Sequence, residues 1–77
     1  MASKYDMQYK QLGLTIAYYR KLKGLTQEAL SHQTEMSRTH LSNIEAPNMP
    51  TTVSLEKLFD ISNALDVPIK NFFEFRD

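Results

Sequence analysis

Apolar residues recur along this chain at intervals of three and four, and five segments carry that rhythm. The first spans about residues 6 to 23, with Leu12, Ile16, Tyr19 and Leu22 at core spacing; Gly24 ends it as a left-handed cap. The second and third, about 26 to 34 and 37 to 45, are short and joined by a tight turn. Leu25, Ala29, Leu30, Met36, Leu41 and Ile44 form one inner seam across them. The fourth, SLEKLFDISNAL, turns Leu55, Leu58, Ile61 and Leu65 inward and Glu56, Lys57, Asp60 and Asn63 outward. The fifth, PIKNFFEF, opens on Pro68 and carries Ile69, Phe72, Phe73 and Phe75. Thr26, Ser37 and Ser54 stand where their side-chain oxygens cap the second, third and fourth helices. Between residues 46 and 53, Pro47 and Pro50 forbid helix continuation and make a linker. The pattern predicts an all-α fold of five helices, with a loose N-terminus over residues 1 to 5 and a single domain from 6 to 77.

Composition narrows the class. Seventy-seven residues allow one domain with a small core. The chain has no cysteine, hence no disulfide scaffold and no thiolate metal site. It carries no apolar run of about 18 residues and no signal-peptide region at its start, so a cytoplasmic protein without a membrane span is expected. Two Gly and three Pro favour helices over a turn-rich β fold. Nothing resembles a catalytic set: no Ser-His-Asp or Cys-His arrangement, no Gly-rich phosphate loop, no paired His at helical spacing. An enzyme, a metal site and a cofactor are therefore not expected.

The third segment carries the candidate chemistry. Outside its apolar seam stand Arg38, Thr39, His40, Ser42 and Asn43, each able to donate or accept hydrogen bonds. A short helix with that outward face suits the major groove of duplex DNA, where base edges present distinct donor and acceptor patterns. Arg38 can address guanine or grip a phosphate, and Asn43 can address adenine. His40 either binds phosphate when protonated or is a plain surface residue. Formal net charge is zero, with nine Lys and Arg against nine Asp and Glu. That balance is unlike the usual basic footprint of a nucleic-acid binder. The distribution is uneven, however. Residues 1 to 24 hold Lys4, Lys10, Arg20, Lys21 and Lys23 against Asp6, while residues 51 to 77 are acidic on balance. A basic front and an acidic back fit a protein that faces DNA with one side; a solvated helix face is the other reading. Lys21 and Lys23 serve either the helix dipole or the DNA backbone. Tyr5, Tyr9 and Tyr18 lie on the flanks, for packing or for phosphate.

Leu25-Thr26-Gln27, Leu30, Met36-Ser37-Arg38 and Leu41-Ser42-Asn43-Ile44-Glu45 occur in order and at consistent spacing. Leu12-Gly13, Ile16 and Arg20 precede them; Leu55, Leu58, Ile61, Ala64-Leu65, Val67-Pro68 and Phe72-Phe73 follow. Over roughly residues 12 to 73 this resembles the Cro/lambda-repressor-like (XRE) family of bacterial and phage helix-turn-helix proteins. The resemblance implies a five-helix lambda-repressor-like domain with its helix-turn-helix at about residues 26 to 45. It implies a sequence-specific regulator of transcription, a repressor acting as a homodimer on a palindromic operator of double-stranded DNA. Ser37, Arg38, Thr39, His40, Ser42 and Asn43 would face the duplex, and Gln27 its backbone. Arg20 and Glu45 would pair, a structural bridge between the first and third helices. The surplus of phenylalanines in the last helix suggests a two-fold interface through Phe72 and Phe75. No small-molecule effector is expected. In the family a glycine commonly occupies the turn, where this chain has Glu35; either Glu35 bears a positive φ, at roughly 1 kcal/mol, or the turn differs. The alternative function is a protein-interaction module, antitoxin-like or anti-repressor-like, that acts through a partner.

Overall fold

The structure is a computed structural model that describes residues 4–74. Four α-helices and one 3₁₀ turn follow each other along the chain: α1 Asp6–Leu22, α2 Gln27–Gln33, α3 Arg38–Glu45, α4 Leu55–Leu65, and the 3₁₀ turn Ile69–Phe73. No strand occurs among the described residues. The described N-terminal residues, Lys4 and Tyr5, form a turn into α1, and the Tyr5 carbonyl accepts from the Tyr9 amide at 3.0 Å. Residues 1–3 of the expected loose segment lie outside the described residues.

The expected fifth helix is corrected. The Asn71 amide donates to the Pro68 carbonyl at 2.9 Å, and the Glu74 amide to Asn71 at 3.4 Å, both three residues back. The segment is too short to run a ladder of four-residue bonds, and the tighter turn seats Phe72 in the core.

Helix starts and stops follow local chemistry. Thr26, Ser37 and Ser54 each accept, through the side-chain oxygen, from the amide three residues on, at 3.0, 3.0 and 3.1 Å. Three helices stop by one device. After α1 the Leu25 amide donates to Arg20 and Gly24 takes φ 76°. After α2 the Met36 amide donates to Ser31 and Glu35 takes φ 55°. After α4 the Val67 amide donates to Ser62 and Asp66 takes φ 55°. Each is a left-handed residue followed by an apolar one that packs back on the core. In the turn after α2, then, Glu35 itself takes the left-handed position and bears the strain.

The core is Leu12, Ile16, Leu30, Leu41, Ile44, Leu58, Ile61, Leu65, Val67 and Phe72, all buried. Tyr19 packs edge-on against Phe72, with ring centres 5.5 Å apart. Two residues expected inside are outside: Leu22, at the end of α1, and Leu55, in the first turn of α4, are both largely exposed. Each sits at a helix end, beyond the stretch that neighbouring elements cover. Gly13 makes the closest approach. A Cβ built there would overlap the Ile44 carbonyl oxygen, so only glycine lets α1 lie this near the end of α3.

Candidate nucleic-acid interface

The site is built on α3. Its inner side, Leu41, Ile44 and Glu45, is buried. Its outer side presents Arg38, Thr39 and Ser42 to solvent, with Ser37 exposed at the cap and His40 and Asn43 half-buried on the flanks. The six residues expected to face a duplex therefore lie on one short helix and its cap. Three of the four most open ones, Ser37, Arg38 and Thr39, stand at the N-terminal end, where the free amides and the positive end of the helix also point. No acidic residue stands in that first turn.

What fixes α3 is the buried pair beneath it. Arg20 Nε donates to Glu45 Oε2 at 2.8 Å and Nη2 to Oε1 at 2.9 Å, a two-pronged bridge from α1 to the last residue of α3. The third guanidinium arm, Nη1, donates to the Leu25 carbonyl at 2.8 Å and ties in the start of the α2 segment. Both side chains are nearly closed to solvent. A planar fork with its donors in fixed directions suits that task where a lysine would not.

Gln27 belongs to this group. Its Nε2 donates to Glu45 Oε1 at 2.9 Å, so the side chain expected at a phosphate is first a member of the buried network. An amide carries a second N–H, which leaves one donor for an external oxygen. Lys57 is a contributor that sequence reasoning missed. Its Nζ donates to the Thr34 carbonyl at 2.8 Å, at the end of α2, and lies 3.5 Å from Asp60. This lysine anchors α4 to the turn between α2 and α3; no spacing in the sequence marks it. Gly13 is the other omission, and there a signal existed: a glycine inside an amphipathic helix costs about 1 kcal/mol in propensity and calls for a packing reason.

The expected interface through Phe72 is corrected as well. Phe72 has no exposed surface; it fills the core, and its neighbour Phe73 is the half-exposed ring. Phe75 lies outside the described residues. The side-chain hydroxyl of Ser62, donating to the Val67 carbonyl at 2.5 Å, closes the bend that sends the chain into this turn.

Comparison with known proteins agrees with this architecture. A family model described as Helix-turn-helix matches residues 16–72. The restriction-modification controller protein C.AhdI from Aeromonas hydrophila is 25% identical and superposes with a TM-score of 0.79, covering 87% of this chain and 98% of that one. The master regulator for biofilm formation SinR, solved in complex with DNA, is 32% identical, with a TM-score of 0.74 over 82% of this chain and 98% of that one. The N-terminal DNA-binding domain of SinR from Bacillus subtilis is 31% identical, with a TM-score of 0.66 over 83% and 91%. No curated protein sequence matches the chain. A buried Arg20–Glu45 bridge, a capped two-helix unit with its left-handed turn, and a match over residues 16–72 converge: the chain belongs to the XRE-type helix-turn-helix family.

Proposed function

We propose that the chain is a sequence-specific regulator of transcription that places α3 in the major groove of double-stranded DNA and acts as a repressor. The observation that carries this is the outward face of α3, which is polar, free of acid in its first turn, and fixed from behind by the Arg20–Glu45–Gln27 network. A helix held rigidly can read base edges by direct hydrogen bonds, because little ordering is left to do on binding. Arg38, Thr39, Ser42 and Asn43 read bases in this proposal; Ser37, His40 and the second N–H of Gln27 address phosphates. The similarity to SinR, which was solved on DNA, supports it.

A homodimer completes the reading. Two copies of α3 about 34 Å apart would enter successive major grooves of a roughly palindromic operator. A domain of 30 × 24 × 20 Å is of the right size to sit beside a copy at that spacing. The C-terminal turn is the contact, with Phe73 as its exposed ring in place of Phe72, joined by Phe75. Such a regulator works in the cytoplasm of a bacterium or of a phage-infected cell. Among the described residues, no helix is long and apolar enough to cross a membrane.

The test is selection from random duplex DNA, with Arg38→Ala and Asn43→Ala run in parallel. A palindromic motif that blurs at particular positions in each variant is expected. Binding should also weaken steeply with salt, because each neutralised phosphate releases counterions. Failure to enrich any motif at moderate salt would refute the reading. Sedimentation at tens of micromolar tests the dimer, which Phe73→Asp or Phe75→Asp should weaken.

A further inference from the structure

Helix α3 is held at its two ends by different means. At the C-terminal end, close contacts with α1 fall on its last two residues: Ile44, whose carbonyl lies against Gly13, and Glu45, which takes the Arg20 bridge. At the N-terminal end it is preceded by the turn Thr34-Glu35-Met36, with Ser37 as its cap. A helix of 8 residues is about 12 Å long. A pivot about Glu45 therefore displaces Arg38 and Thr39 most and Asn43 least. The aim of the N-terminal end rests on the turn.

That turn is strained, and it is gripped from outside. Glu35 takes φ 55°, a left-handed conformation that costs a residue with a side chain. Turning the peptide that joins Thr34 to Glu35 would relieve the strain and would swing the Thr34 carbonyl with it. Lys57 Nζ holds that carbonyl at 2.8 Å. Lys57 is itself fixed: its amide donates to the Ser54 cap at 3.1 Å, and Asp60, one turn along α4, stands 3.5 Å from its Nζ. The other two left-handed turns are held locally. Arg20 donates to the Leu25 carbonyl beside Gly24, and Ser62 to the Val67 carbonyl beside Asp66, each from the helix that is ending. The Glu35 turn instead takes its donor from another helix, 23 residues on.

We propose that Lys57 is a positioning residue for base recognition. By holding the Thr34 carbonyl it keeps the Glu35 turn left-handed, and so aims the N-terminal end of α3, with Arg38 and Thr39, at the base edges. The proposal rests on the reading that α3 enters the major groove. Lys57 itself touches no base; it acts through the turn, and α4 thereby takes part in specificity. Two other roles for this lysine give different results. A phosphate contact strengthens binding to every sequence alike and adds about one to the salt slope. A brace for stability alone shifts the unfolding midpoint and leaves the selected sequence as it is.

The test is selection from random duplex DNA with the full chain, Lys57→Met and Lys57→Ala, both of which remove the donor. Discrimination between single bases is then measured on the selected site, and circular dichroism checks that each variant folds. In both variants discrimination should fall at least about fivefold at the base pairs that Arg38→Ala blurs, the low end of what one such contact supplies. At the base pairs that Asn43→Ala blurs it should hold, and the salt slope should match the parent's. Glu35→Gly added to Lys57→Met should restore most of the lost discrimination, because glycine takes a positive φ without strain. NMR reads the turn without DNA: a strong amide-to-α-proton nuclear Overhauser effect within Glu35 marks the positive φ, and Lys57→Met should weaken it. An unchanged motif or an unchanged Glu35 signal in Lys57→Met overturns the proposal and leaves the lysine a brace. A uniform loss of affinity with a salt slope smaller by about one assigns the lysine to a phosphate and overturns it too. So does failure of Glu35→Gly to restore discrimination. A parent chain that selects no motif removes the DNA-binding reading and this proposal with it, whereas a sharp parental motif that Lys57→Met leaves intact removes this proposal alone.

Discussion

Replacing Arg20 with methionine should cost this domain about 3–5 kcal/mol, the range for stranding one partner of a buried pair. The structure says why the cost falls at that end. Glu45 is 7% exposed and accepts from two arms of the guanidinium at 2.8 and 2.9 Å. Without Arg20 it keeps only the Gln27 amide at 2.9 Å, and the Leu25 carbonyl loses its donor too. A domain of 77 residues has about 4–12 kcal/mol in all, so the variant should sit near its unfolding midpoint in mild denaturant. Arg20→Met combined with Glu45→Leu removes both charges together and should be more stable than Arg20→Met alone, because no carboxylate remains buried without a partner. The assay is urea unfolding by far-UV circular dichroism for the parent, both single variants and the double, with slopes compared to check that the unfolding reaction is unchanged. A coupling of about 2–3 kcal/mol is expected for residues sharing one network. A cost below about 1 kcal/mol for Arg20→Met, with additive behaviour in the double, is what an exposed pair would give and would refute the reasoning.

Other outcomes follow from the helix ends and the closest contact. Glu35→Gly and Asp66→Gly should each stabilise by about 0.5–1 kcal/mol, since glycine relieves the left-handed strain while adding some freedom to the unfolded chain; a fall in the urea midpoint of either would contradict that account. Gly13→Ala should destabilise by at least about 1 kcal/mol despite alanine's better helix propensity, because its methyl meets the Ile44 backbone oxygen rather than a flexible side chain; an unchanged or raised melting temperature would show that the helices separate without cost. Ser37→Ala should lose about 1 kcal/mol through the cap on the His40 amide, and Ser37→Asp should keep most of it; equal stabilities for the two variants would remove the cap from the argument.

Much of the fold can be read from the sequence because it is written locally. The three capping residues, the Gly24 stop and the spacing of Leu30, Leu41, Ile44, Leu58, Ile61 and Leu65 act within one or two turns of helix. The Arg20–Glu45 contact spans 25 residues, and family resemblance implies it where spacing does not. Misreadings gather where local pattern and tertiary contact disagree. Leu22 and Leu55 have the right period but stand at helix ends, beyond the neighbours that would cover them. Phe72 and Phe73 are adjacent and chemically identical, so only the pitch of the turn decides which is buried, and a 3₁₀ turn has a different pitch from the expected helix. The left-handed position of Asp66 is silent in the sequence, because such a position shows there only when glycine fills it. For the candidate site the outward face of α3 was legible, but the bond that turns Gln27 inward was not, since it depends on where Glu45 lands after folding.

The near-contact of Gly13 with Ile44 has a bearing on how this molecule meets a target. With no side chain between them, α1 and α3 have no compressible layer along which to slide, and the guanidinium bridge locks the same two helices a few residues further on. On the proposed function, the reading head and its support then move as one solid piece. A misfit with an operator falls mainly on the softer partner, the duplex, through bending or a change of groove width. Base pairs that no side chain touches would then influence affinity through their stiffness.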